Sequence, residues 1–149
     1  TTLRGYELTR PSIPHYASLL AGLAISQTRT ALCHSISYPI TAYFGVPHGL
    51  ACAFTMVAVL RHNLEADDGR FERLAAMLCG GKSSHAALVE RFRALTENMG
   101  VRKQVRQLVP SLAQLIDLVG EMYTAGRSDN NLAVVDDTVI ERILVLAWG

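Results

Sequence analysis

One break in an otherwise helical stretch does most to constrain this chain. Residues 31–50, from Ala31 to Leu50, are largely apolar on both sides of Gly45-Val46-Pro47. Glycine ends a helix and proline can open the next, because proline tolerates a first-turn position but not an interior one. His34 therefore falls in one helix and His48 at the start of the following one. Two imidazoles from adjoining helices can converge on one divalent ion, each giving one nitrogen. Two ligands do not complete a metal site, so the remaining donors must come from elsewhere.

The periodicity around this break is helical almost throughout, with no run of strand alternation, and predicts an all-α fold of about seven helices. Pro11 and Pro14 sit at the start of a first helix over about Ile13 to Ser26, and Gln27 to Thr30 supplies N-cap residues for a second helix reaching Phe44. Pro39 inside that second helix should kink it and free a carbonyl near position 35. The third helix runs from Pro47-His48 to about Asn63. Asp67-Asp68-Gly69 turns into a short helix through Leu78, stopped by Gly80-Gly81. Ser83-Ser84 caps a helix to Asn98, and Gly100 terminates it. Arg102 to Gln107 is ambiguous, Ser111 caps a helix to Tyr123, Gly126 to Leu132 is a loop, and Asp136-Asp137 opens a last helix through Ala147.

The 149 residues suit one domain, and 50% are apolar, enough for an ordinary core. A net charge of +1 gives no electrostatic footprint for nucleic acid or an anionic membrane. Arg91, Arg93, Arg102, Lys103 and Arg106 lack interleaved aromatics and are expected to form a solvated face. No run reaches the roughly 18 apolar residues of a membrane helix and no secretory leader is visible, which points to the cytoplasm. The three cysteines, Cys33, Cys52 and Cys79, are expected to be buried free thiols. Cys33 adjoins His34, but neighbouring helix positions point about 100° apart, so it is not expected to be a ligand. His15, His62 and His85 have polar neighbours and no ligand spacing, and are expected at the surface.

The residues Leu20-Ala-Gly-Leu-Ala-Ile-Ser26, His34, Pro39, Gly45-Val-Pro-His48-Gly-Leu-Ala51 and Asn63 together resemble the C-terminal domain of iron-containing (group III) alcohol dehydrogenases. The likeness is densest from Leu19 to Asn63 and returns weakly from Thr124 to Trp148. It implies the helical metal and substrate domain of the dehydroquinate synthase-like fold, with His34 and His48 as metal ligands. An aspartate and a histidine would complete the set from an upstream dinucleotide-binding domain. The implied activity is a metal-dependent, NAD(P)-linked alcohol dehydrogenase or aldehyde reductase, with Fe2+ or Zn2+ as the ion and a homo-oligomer as the assembly. The chain opens Thr1-Thr2-Leu3 and contains no Gly-rich phosphate turn, so residues 1–149 are expected to be a fragment, inactive alone, whose partner is its own N-terminal domain.

Two departures from the family pattern bear on the chemistry. Tyr38 shares a helix face with His34 where the family commonly has a second histidine credited with proton relay. A phenol can hydrogen-bond a substrate oxygen, but its ordinary pKa near 10 makes it a poorer relay at neutral pH. Arg29, beside Thr28 at a helix N-terminus, is suited to an anionic group. Ser-Gln-Thr-Arg-Thr and His-Ser-Ile-Ser-Tyr-Pro look like the phosphonoacetaldehyde reductase branch, which implies a phosphonate-bearing aldehyde contacted by Arg29 and Thr28. Ile25 matches a position lining the substrate cleft in relatives. Two alternatives stand beside this reading: a relative of dehydroquinate synthase or glycerol-1-phosphate dehydrogenase, and a non-catalytic helical interaction module.

Overall fold

The computed structural model describes residues 13–80, 84–123, 125 and 128–149, and among them every regular element is a helix. Pro11, Gly81, Ser83, Thr124 and Gly126, which carried expectations above, lie outside the described residues. The order is α1 (Ile13–Gln27), α2 (Leu32–Phe44), α3 (His48–Leu64), α4 (Arg70–Leu78), α5 (His85–Asn98), α6 (Val101–Leu108), α7 (Leu112–Ile116), α8 (Val119–Met122), a 3-10 turn at Ser128–Asn130, and α9 (Asp137–Trp148).

The break between α2 and α3 forms as its residues dictate. Gly45 takes the left-handed conformation, φ 65°, and its N–H closes the helix on the carbonyl of Thr41. Val46 is fully buried, so the turn is anchored in the core. Pro47 then sits at the N-cap of α3, where its missing N–H costs nothing. α2 and α3 share the most extensive helix–helix contact of the fold, and α9 lies across α3. Leu32, Ile36 and Ile40 of α2 meet Ala51, Phe54 and Ala58 of α3 and Ile140, Ile143 and Leu144 of α9 in one core. A smaller cluster, Leu60, Ala75 and Leu88, joins the end of α3 to α4 and α5.

Two helical boundaries differ from expectation. The ambiguous segment 102–107 is helical, as α6, because Val101 and Val105 lie one turn apart and both are buried. The single helix expected over 112–123 divides into α7 and α8. Tight bonds from Leu118 N–H to the Leu115 carbonyl and from Glu121 N–H to the Leu118 carbonyl replace the α-helical ladder there. Both pieces can then turn apolar residues, Leu115 on one and Val119 and Met122 on the other, into the core.

His62 is not a surface residue. Only 8% exposed, it joins three segments: Nε2–H donates to the Val134 carbonyl at 2.9 Å, and Nδ1 accepts from Arg142 at 3.1 Å. Its polar sequence neighbours are on other faces of α3, which a linear reading does not separate. Beside it, Asn63 and Asn131 exchange amide hydrogen bonds of 3.0 and 2.6 Å, fastening the end of α3 to the segment leading into α9. No described helix is long and apolar enough to cross a membrane.

Candidate metal centre

The Gly-Val-Pro turn brings His34, in the first turn of α2, against His48, the first residue of α3. The His34 and His48 rings meet with centroids 5.3 Å apart, at an interplanar angle of 61°. Tyr38, one turn beyond His34 on α2, stacks on His48 at 5.6 Å and 16°. His48 is exposed while His34 is partly buried, so the pair lies at the rim of the core. Cys52 follows His48 by one turn of α3, and its Sγ lies 3.7 Å from His48 Nε2. The donor atoms of His34, His48 and Cys52 all fall within 4.8 Å of one another.

Ser37 ties His48 to α2: its hydroxyl donates to the His34 carbonyl at 2.8 Å, and its Oγ lies 3.2 Å from His48 Nδ1. Nε2 is the His48 nitrogen turned toward Cys52. A metal-binding histidine commonly has one ring nitrogen held by a hydrogen bond and the other left to coordinate. The residues therefore fit a divalent ion.

The thiols differ in character. Burial pushes Cys33 up to about 11, with the Thr55 hydroxyl only partly opposing it, which makes it an inert core thiol. Burial also raises Cys52, and the Ser37 hydroxyl works against that rise. All three cysteines are free, each partly rather than fully buried. Cys52 was missed in the sequence as a member of this cluster. The signal was present: it stands at i+4 from His48, the spacing that stacks two side chains on one helix face.

Ile25, Thr28 and Arg29 are not drawn into this cluster. All three are exposed, at the end of α1 and in the segment before α2. Thr28 bonds back to the Ala24 carbonyl at the end of α1, and the Arg29 carbonyl accepts from Asn130 at 3.0 Å. The guanidinium of Arg29 is left at the surface just before α2.

The basic residues form the expected solvated face, with Arg91, Arg102, Lys103 and Arg106 exposed. Arg93, Arg102, Lys103 and Arg106, with Arg61, surround a cavity of about 570 Å3 floored by Phe54, Ala58 and Ala147. Arg93 is held by Glu90 and Glu97, both at 2.6 Å, and Arg106 lies over the Trp148 ring at 4.9 Å.

Comparison with known proteins agrees with the motif around the two histidines. The family model for the Fe-containing alcohol dehydrogenase family, C-terminal, matches residues 9–145. The 1-propanol dehydrogenase PduQ of Salmonella typhimurium is 38% identical over 117 residues, covering 77% of this chain and 29% of that protein. The phosphonoacetaldehyde reductase of Streptomyces viridochromogenes is 40% identical over 86 residues, covering 48% of this chain and 22% of its own length. The NADPH-dependent butanol dehydrogenase of Clostridium saccharobutylicum is 29% identical over 91 residues, 61% of this chain and 24% of that enzyme. No solved structure matches the chain significantly. The chain thus spans less than a third of the length of these relatives. Helices that close a core around a paired-histidine turn, matched over nearly the whole sequence, place this chain in the Fe-containing alcohol dehydrogenase family, in its C-terminal region.

Proposed function

We propose that residues 1–149 form the metal- and substrate-binding domain of an NAD(P)-linked alcohol dehydrogenase or aldehyde reductase. The observation that carries this reading is the meeting of His34 and His48 at the α2–α3 turn, their rings 5.3 Å apart and His48 held through Nδ1 by Ser37. His34 and His48 hold the divalent ion, iron or zinc, with further donors and the nicotinamide coming from a dinucleotide-binding domain. The ion supplies Lewis-acid polarisation of the substrate oxygen. The chain's own groups do the rest. Ser37 holds the His48 ring through Nδ1, and on this reading the Tyr38 phenol, stacked on His48 and 36% exposed, hydrogen-bonds a substrate oxygen.

The substrate we favour is an aldehyde bearing an anionic group such as phosphonate. Arg29 supports it, as does the 40% identity to a phosphonoacetaldehyde reductase over 86 residues. The contact would be charge-assisted, and Ile25 and Thr28 would flank it. The protein works as a homo-oligomer in the cytoplasm on this reading, and 1–149 alone shows no turnover.

The direct test is the metal content of the full-length protein carrying His48→Ala. It should lose most bound iron or zinc, and activity with it. An unchanged metal content would overturn the ligand assignment.

A further inference from the structure

We propose that the cavity between α3, α5, α6 and α9 binds a small organic phosphate, one that carries its anionic group on an apolar or aromatic body. None of its lining residues belongs to the metal reading: His34, His48, Tyr38 and Arg29 all lie elsewhere.

The lining divides into a floor and a rim. Phe54, Val57, Ala58 and Arg61 follow at the i, i+3, i+4, i+7 spacing of one face of α3, so three apolar groups form a floor and a cation ends it. Val101 of α6 and Leu146 and Ala147 of α9 extend that floor. The rim comes from α6, where Arg102 and Arg106 stand one turn apart with Lys103 beside them. Gly100, left-handed at φ 63°, turns the chain between α5 and α6 so that the two helices become adjacent walls. The volume of about 570 Å3 falls in the range of small-molecule sites, and a compact space between four helices suits such a molecule better than an extended acidic segment.

The charge around this space is lopsided. The whole chain balances 14 Lys and Arg against 13 Asp and Glu, whereas five cations and one carboxylate, Glu97, line the cavity. That carboxylate is committed, since Glu97 and Glu90 both hold Arg93 at 2.6 Å. Arg61, Arg102, Lys103 and Arg106 have no carboxylate within ion-pair distance among the described residues. Arg106 is also held in place. Its guanidinium lies over the Trp148 ring at 4.9 Å and donates through Nη2 to the Trp148 and Gly149 carbonyls, which leaves Nε and Nη1 for another acceptor. A cleft lined by one sign of charge over apolar walls focuses the field and concentrates the opposite ion. Guanidinium forks match the oxygens of a phosphate in pairs, and a lysine adds a point charge. The floor then selects, among phosphates, those with an apolar body to bury.

The probe is 1-naphthyl phosphate, with 1-naphthol and inorganic phosphate as its two halves, each titrated calorimetrically into the full-length protein. The whole probe should bind once per chain, at least about tenfold tighter than either half, and more weakly as salt rises. Arg102→Gln combined with Lys103→Gln should weaken it at least about tenfold. Leu146→Glu, which sets a carboxylate at a 46% exposed edge of the floor, should do the same, and both variants should keep the circular dichroism and Tm of the unaltered protein. Arg29→Ala should leave the affinity unchanged. Failure of the unaltered protein to bind the probe overturns the proposal, as does undiminished binding by the two rim-and-floor variants. Inorganic phosphate bound as tightly as the probe would show that the floor plays no part, and would overturn it too. If Arg29→Ala alone abolishes binding, the phosphate sits before α2 and the cavity is not its site. An acidic hexapeptide of glutamate that binds the same residues more tightly than the probe would make this a protein-docking face and sink the ligand class.

Discussion

α1 and the α2–α3 pair have similar apolar content and opposite fates. α2 and α3 bury Leu32, Ile36, Ile40, Ala51 and Phe54 against each other and against α9. α1 is exposed from His15 to Gln27, with Leu19, Leu20 and Leu23 at 59%, 65% and 55%. Burying such side chains is worth about 1.5–3 kcal/mol each, so leaving three of them in water forgoes much of what a helix can contribute. The pair with the packed core carries the histidines, and the helix without one leads into the substrate candidates. A ligand site needs side chains fixed by packing, which α2 and α3 provide. A substrate rim is built where surfaces meet, and α1 has only one of those surfaces here.

The largest effect should follow from breaking the packed side. Ile36→Ala removes a fully buried side chain from the centre of the core and should cost about 2–5 kcal/mol in chemical denaturation. A loss below about 1 kcal/mol would mean that α2 packs more loosely than described, and that the His34–His48 approach is not rigidly held.

The next effect tests whether the exposed side works on substrate. Arg29→Ala in the full-length enzyme should remove a contact worth about 1.5–3 kcal/mol, lowering kcat/KM for phosphonoacetaldehyde by about 10- to 150-fold. A neutral aldehyde of similar size should be nearly indifferent. Equal losses on both substrates would make Arg29 structural, and the phosphonate reading would lose its physical support.

A comparable or smaller effect tests the far end of α3. Asn63→Ala strips partners from Asn131 and from the Ala133 N–H, and should cost about 1–3 kcal/mol. Asn131→Ala should cost less once Asn63 is already gone, because the two amides share the same bonds. Full additivity of the two substitutions would show that the amide pair is not coupled.

The sequence was most legible where a local rule and burial agree. Gly45 and Pro47 placed the helix break within a residue, and Ser84 and Asp136 cap α5 and α9 as their side chains suggest. The all-helical architecture followed from periodicity, and the edge-to-face approach of His34 and His48 agrees with the helix break between them. What stayed hidden depended on partners distant in sequence. His62 needs Val134 and Arg142 to be a core residue. The division of 112–123 depends on which apolar residues α9 and α2 leave room for. Ser37 reads as an ordinary helical serine until its two partners, the His34 carbonyl on its own helix and His48 on the next, tie it to the candidate site.

The smallest effect expected is on α1, and it tests the comparison itself. Leu20 is 65% exposed, so Leu20→Ala in this chain should change stability by no more than about 0.5 kcal/mol, the ordinary cost of a surface substitution. The relatives are more than three times longer than the segments matched here, and their remaining length is where a cover for α1 would come from. In the full-length protein the same side chain, if covered, joins an interface, and truncating it should cost about 2–5 kcal/mol in the manner of a core leucine. The measurement is therefore paired: denaturation of the 149-residue chain and of the full-length protein, each with and without Leu20→Ala. A large loss confined to the longer protein would identify α1 as half of an unfinished core. A negligible loss in both would mean that its leucines face water throughout, and that the contrast with α2 and α3 is a permanent property of the fold.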